Sequence, residues 1–242
     1  MKTQALSLDS LFDALAEGWR VANETRGVSI AYTVFFVMGG LLIMGSLLAR
    51  GWTPFIIAAA GAFMLIGPAV LAGYFGIAAA LEAGRRPGLG DIGAGFAGAS
   101  RALWALALVC GLLFMIFVTD AAILYAYMIG DVPVWLGELL PVAESVSRFV
   151  LWSSVSGGVV AFLLFTVSAF AVPLLCERRA TLVEAVVSSV RVVFGNFFVA
   201  MVWAVLLSAT VIASILLLPL LLLTLPWLAY ASRALYRIAL PV

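Results

Sequence analysis

Asp120 is the one acid inside an otherwise apolar stretch of this chain, which makes it the first candidate for proton or ion chemistry. Its position argues for a quieter role. It lies 19 residues beyond Arg101, about 28 Å along a helix, so a helix entered at Arg101 has nearly crossed a bilayer by then. A solvated or hydrogen-bonded edge is therefore expected. Other chemistry has little support. The chain has no histidine, which removes the commonest transition-metal and haem ligand. Cys110 and Cys176 fit no paired-thiol or metal spacing and read as small apolar residues. Neither a GxSxG elbow nor a Gly-Lys-Ser/Thr loop occurs, and a serine without an activating neighbour is a weak nucleophile. No catalytic residue, cofactor or metal is expected, and the chain does not read as an enzyme.

Three prolines inside apolar stretches, Pro68, Pro173 and Pro226, are the next candidates. Each frees a helix carbonyl, and broken helices build transporter sites. Their polar neighbours are only Thr166, Ser168 and Thr224, and hydroxyls commonly satisfy helix carbonyls locally. Packing kinks are the favoured reading. A substrate site there requires a cavity at mid-depth between the stretches that carry them, and solid packing would remove it. Small residues at four-residue spacing, Ala69/Gly73 and Ala72/Gly76, permit close helix approach within the chain or to another subunit.

The elements that carry these residues follow from composition and charge. The chain is 65% hydrophobic and only 10% charged, against about half and a quarter in soluble domains, so lipid must solvate most of its side chains. The net charge of +1 and the absence of a basic run away from the membrane flanks leave no nucleic-acid footprint. Apolar stretches fall at about Val28 to Leu48, Pro54 to Ala80, Ala102 to Ile129 and Phe149 to Leu175. From Val192 through Ser232, 41 residues carry no charge; as one helix they reach about 60 Å, twice a bilayer core, so the chain must fold back, with Pro219 at the turn. Spans five and six are then about Phe197 to Leu216 and Leu220 to Ala239.

Basic residues orient these six spans. Lys2, Arg20 and Arg26 precede the first; Arg85, Arg86 and Arg101 lie between the second and third; Arg178, Arg179 and Arg191 lie between the fourth and fifth; Arg233 and Arg237 end the chain. Only Arg50 and Arg148 fall on the other side. Eleven against two places both termini on the cytoplasmic side of the membrane. The opposite loop, Asp131 to Ser147, mixes acids with Trp135, Leu136, Leu139 and Leu140 and reads as an amphipathic surface segment. The N-terminus, with Asp9, Asp13, Glu17 and Glu24, is not a signal peptide. The domains expected are a cytoplasmic amphipathic helix over 1–27 and a six-span membrane domain over 28–240.

A threefold repeat is also expected. Leu8, Leu11, Phe12 and Leu15 share a helix face opposite Asp9, Asp13 and Glu17. Thr181 to Glu184 matches a capping box, continued by Val186, Val187 and Val190 on one face. Leu89 to Ser100 is a weaker, Gly-rich copy with Ile92 and Phe96 on one side. From Asp9, Asp91 and Thr181 it is 11, 10 and 10 residues to Arg20, Arg101 and Arg191. The units, about 8–84, 89–177 and 181–240, each hold an interfacial helix, a span and a proline-containing span. The short helices read mainly as elbows that set the angle of the next span.

Three blocks of residues resemble a known family. One holds Gly67-Pro68, Gly73-Tyr74-Phe75-Gly76, Glu82 and Arg85-Arg86. Another holds Ser168 to Leu175, Arg178-Arg179-Ala180-Thr181, Ser189-Val190-Arg191 and Asn196. The third holds Leu225-Pro226 and Leu235-Tyr236-Arg237. Together they resemble a bacterial family of six-span integral membrane proteins of unassigned role, some of whose members carry a cytochrome-oxidase-subunit-like label. The resemblance implies the six-span fold. In the family the last span ends with histidines around a tryptophan; here that stretch is Ala229 to Leu235 and has none, so the oxidase label gains no support.

The fold class is therefore all-α and polytopic. The expected function is non-catalytic, an accessory or assembly subunit acting through lipid or a larger membrane complex. The competing expectation is a small transporter or channel for an apolar or lipid-like substrate. Expected partners are membrane lipids and other membrane subunits. The candidate lipid or partner contacts are Arg20, Arg85, Arg86, Arg101, Arg178, Arg179, Arg191, Arg233 and Arg237. Topogenic charge is the plainer reading of most of them.

Overall fold

The structure, a computed structural model, describes residues 4–51, 67–128 and 144–241. The first part of the expected second span, Lys2, and the loop residues 131–143 lie outside the described residues. Within them the chain is helical: α1 (Leu8–Glu24), α2 (Arg26–Ala49), α3 (Gly67–Glu82), α4 (Leu89–Gly98), α5 (Arg101–Met128), α6 (Glu144–Ser168), α7 (Ala171–Cys176), α8 (Leu182–Gly195), α9 (Phe197–Leu216) and α10 (Leu221–Ala239). Among the described residues, five segments are long and apolar enough to cross a membrane: Arg26–Ala49, Arg101–Met128, Leu151–Cys176, Phe197–Ser214 and Leu218–Ala239. The apolar helix Val70–Glu82 is shorter. The fold-back falls where expected, in a 3-10 turn over Leu218–Leu220 that contains Pro219.

Local signals set the helix ends. At the start of α1 the Ser7 and Ser10 side chains answer each other's amides. At the start of α4, Asp91 accepts from the Gly88 amide at 2.8 Å. At the start of α8, Thr181 and Glu184 form the expected capping box. Two helices stop in the same way. Past α3, Gly84 turns left-handed (φ 71°), and the Gly84 and Arg85 amides return to the Leu81 and Ala80 carbonyls. Past α7, Arg178 takes that conformation (φ 53°), and Arg178 and Arg179 return to Leu175 and Leu174.

The amphipathic face of α1 is used for packing. Leu11, Ala14, Gly18, Val21 and Ala22 are buried, and α1 runs along α10, with the Gln4 amide on the Ala239 carbonyl at 3.0 Å and Trp227 Nε1 on the Leu15 carbonyl at 2.8 Å. The approach requires glycine, because a Cβ on Gly18 would lie 2.5 Å from the Ala231 amide nitrogen. Thus α1 is docked along the last helix, which is more than an elbow. The small residues of α3 do similar work: Ala72 and Gly76 receive Gly95 of α4, and Gly73 receives the Tyr32 ring.

Helix α8 divides the expected face, with Val186 packed against the core. Ala185, Ser188, Ser189, Val192 and Val193 are buried, whereas Val183, Val187 and Phe194 face out. In lipid, small and hydroxyl side chains seek the protein while valine and phenylalanine are at home outside. The arginine spacing is corrected. Arg20 and Arg191 lie within α1 and α8, but the Gly-rich α4 ends at Gly98, and Arg101 is the first residue of α5.

Proline acts differently in spans four and six. Pro173 has no N–H for the Ala169 carbonyl, and the span breaks at Ala169–Phe170 between α6 and α7. There Ser189 of α8 enters the ladder: the Phe170 amide donates to its Oγ at 3.2 Å, and that hydroxyl donates to the Thr166 carbonyl at 2.8 Å. Pro226 is buried within α10, which continues through it. Pro68 is the second residue of α3.

Candidate functional site

The ends of α3, α7 and α10 converge in a cluster of charges. Glu82 closes α3, Glu177 follows α7, and Arg233, Tyr236 and Arg237 lie on the last turns of α10. Arg233 grips Glu82 with two parallel bonds, Nη1–Oε1 at 2.6 Å and Nη2–Oε2 at 3.1 Å, and gives its Nε to Glu177 at 3.1 Å. Arg237 reaches Glu82 at 2.7 Å and Glu177 at 3.0 Å. Tyr236 donates to Glu177 at 3.2 Å and accepts from Arg179 at 2.6 Å; Arg179 also holds the Leu240 and Pro241 carbonyls. Arg233 packs over the Phe75 ring, 5.6 Å from its centre. Two carboxylates face two guanidinium groups, so the buried Arg233 carries no unbalanced charge.

A cavity of about 360 Å³ opens beside this clasp, walled by Phe75, Arg85, Asp91, Glu177, Arg233 and Arg237 among others. It lies where spans two, four and six meet, but at their charged end and not at mid-depth. Neither Pro173 nor Pro226 lines it. Arg85 is paired with Asp91 at 3.1 Å. The Gly88 amide, and after it Arg85, holds the Asp91 carboxyl below the usual carboxylate range.

The other candidate residues divide by partner. Arg20 sits between Glu17 and Glu24, 2.6 Å from each, and its hydrogen bond depresses the Glu17 carboxyl; the trio is exposed and adds little stability. Arg178 reaches the Ala97 and Ala99 carbonyls at 3.1 and 3.4 Å, covering the carbonyl end of α4. Arg86, Arg101 and Arg191 make no ion pair or hydrogen bond among the described residues, and neither does Arg26. Asp120 is half-buried and accepts a hydrogen bond from Ser156 at 2.7 Å.

Two features escaped the sequence reading. One is the clasp, whose acids and arginines are 56 to 155 residues apart. The other is a buried hydroxyl cluster between α2, α3 and α10. Thr25 and Ser29 share the Tyr230 hydroxyl, at 3.2 and 2.7 Å, and Thr33 meets the Tyr74 hydroxyl at 2.7 Å. The Tyr74 and Tyr230 rings meet edge to face. The four-residue spacing of Thr25, Ser29 and Thr33 signalled this polar stripe.

These features define an all-α integral membrane protein with several apolar helices, closed at one end by an ion-pair clasp. The chain belongs to the family described as a predicted integral membrane protein (DUF2189), whose model matches residues 55–177. The resembling block at the end of the chain, Leu225 to Arg237, lies beyond the matched residues. No curated protein and no solved structure matches the chain.

Proposed function

We propose that this protein is a non-catalytic accessory or assembly subunit of a larger membrane complex, in a bacterial inner membrane with both termini in the cytoplasm. The observation that carries the reading is the second apolar stripe of α1. With Leu11, Ala14 and Gly18 spent on α10, Leu8, Phe12 and Trp19 remain exposed, and Phe12 is 66% accessible. Beside them run Asp9 and Asp13, also exposed. An anionic leaflet repels those acids, so the stripe suits a protein partner that presents apolar and basic residues. The clasp fits this role, since it makes the charged ends of three spans one rigid platform for α1.

The three-unit organisation is part of the same proposal. A short helix precedes α2, α5 and α9, and the ends of α3 and α7 share one turn geometry. Extracted from its native membrane in mild detergent, the chain is expected in an assembly larger than its own 25.6 kDa. Phe12→Glu is expected to release it from that assembly while leaving it folded. A solitary monomer with Phe12 intact overturns the proposal.

A further inference from the structure

Ten described arginines lie at the basic ends of the helices. Six of them, Arg20, Arg85, Arg178, Arg179, Arg233 and Arg237, are held by carboxylates, carbonyls or a phenol of the same chain. Among the described residues, Arg26, Arg86, Arg101 and Arg191 have no such partner. Of these four, Arg191 lines a groove of about 330 Å³ along α8. Its walls include Ser188, Val183 and Val187 of the same helix and Arg179 from the preceding turn. Ser188 is only 8% exposed, yet its hydroxyl makes no hydrogen bond among the described residues and stands on the groove wall. That oxygen is open to the groove and free to donate to a ligand there.

The groove has a charged part and an oily part. Arg179 and Arg191 supply two positive charges. Glu184, also on the wall, turns its carboxylate back onto the Thr181 amide at 3.0 Å and hydroxyl at 2.9 Å. Val183, Val187 and Phe194 face outward along α8, and Phe194, Phe197 and Phe162 form an aromatic group one turn beyond Arg191. A guanidinium and a hydroxyl donor above an outward apolar wall match a phosphodiester above acyl chains. An ammonium-bearing headgroup would add a cation beside two arginines. An uncharged headgroup on the phosphodiester leaves the charges matched.

We propose that this groove is a binding site for one anionic phospholipid of the phosphatidylglycerol type, with Arg191 and Ser188 on the phosphate and the acyl chains against Val187 and Phe194. The site rests on the membrane reading alone and is separate from the α1 stripe, so loss of the assembly through Phe12→Glu leaves it intact. The test is retention of phosphatidylglycerol by the purified full chain in phosphatidylcholine nanodiscs, read by native mass spectrometry during graded delipidation. One tightly held phosphatidylglycerol is expected. Arg191→Gln removes a charge-assisted bond and is expected to weaken retention about tenfold, with a smaller loss for Ser188→Ala. Arg86→Gln, which removes an equally free arginine outside the groove, leaves retention unchanged. Equal losses in the Arg86 and Arg191 variants mean diffuse attraction to a basic surface and overturn the site. Displacement of the lipid by millimolar inorganic phosphate overturns the lipid as occupant in favour of a free anion. Because Arg191 is exposed and unpaired, the variant folds, and unchanged retention in it also overturns the proposal.

Discussion

The guanidinium of Arg233 and the carboxylate of Glu82, 151 residues apart in sequence, meet in two parallel hydrogen bonds at 2.6 and 3.1 Å. Arg233 is buried while Glu82 is half-exposed, so the two ends of the bond differ in what their loss would do. Arg233→Gln leaves Glu82 to Arg237 but deprives Glu177 and Glu82 of their buried partner. A loss of about 2 kcal/mol is expected, near the middle of the range for hydrogen bonds to charged groups and below that for fully buried pairs. Arg237→Gln, at the exposed rim, is expected to cost under about 1 kcal/mol. Melting of the two variants in detergent checks the order, and equal shifts would mean that burial of Arg233 does not matter.

The Ser189 hydroxyl spans the gap between the Phe170 amide and the Thr166 carbonyl. Ser189→Ala orphans both groups away from water, and about 1–3 kcal/mol of destabilisation is expected. Pro173→Ala restores an N–H to α7 and allows the two helices to join directly. In that background the hydroxyl is no longer needed, so the double variant is expected to be more stable than the sum of the single effects predicts. Strict additivity of the four melting curves would show that Pro173 does not cause the break.

Five of the spans, the turn at Pro219 and the Thr181 cap were legible because each is a local signal: about twenty apolar residues, a proline between two such stretches, a hydroxyl three residues before an acid. The clasp was not legible. Arg233 and Arg237 read as topogenic charge because nothing near them in sequence says that Glu82 and Glu177 will arrive. Which side of α8 meets protein was not legible, for a solvent reason. Val186, Val187 and Val190 form a sound apolar face, but in lipid that pattern does not say which side is protein. Ala185, Ser189 and Val192 take the inner side. In α1 the apolar arc is wider than one helix contact, and periodicity alone could not divide Leu11 from Phe12.

Arg178 occupies a left-handed position that glycine fills after α3. Holding an L-residue there costs about 1–2 kcal/mol, offset by the bonds of its side chain to the end of α4. Arg178→Ala keeps the backbone cost and loses those bonds, so it is expected to be the more destabilising change. Arg178→Gly removes both and is expected to lie within about 0.5 kcal/mol of the parent. Amide exchange in α4 separates the contributions: it rises in both variants, since both uncover the Ala97 and Ala99 carbonyls. An α4 that stays equally protected in both would show that Arg178 is not its cap.

The turn between α9 and α10 has a depth that its neighbours reveal. A Cβ on Gly40 of α2 would lie 3.1 Å from the Leu218 side chain, and α2 runs nine residues further, to Ala49. The tip is therefore about 13 Å short of the end of that helix. Its sequence agrees, since from Ile215 to Leu223 every side chain is apolar, and Leu217 is 65% exposed. The backbone is provided for: the Leu217 and Leu220 amides bond to Ala213 and Leu217, and just behind the turn the Ser214 and Thr224 hydroxyls pair at 2.8 Å. The tip is expected to rest within the hydrocarbon. In a background with Cys110 and Cys176 replaced by alanine, a cysteine at Leu218 should resist a membrane-impermeant maleimide, while one at Arg50 should react. Equal labelling of the two would bring the tip into water, and the charge-free turn would then need another explanation.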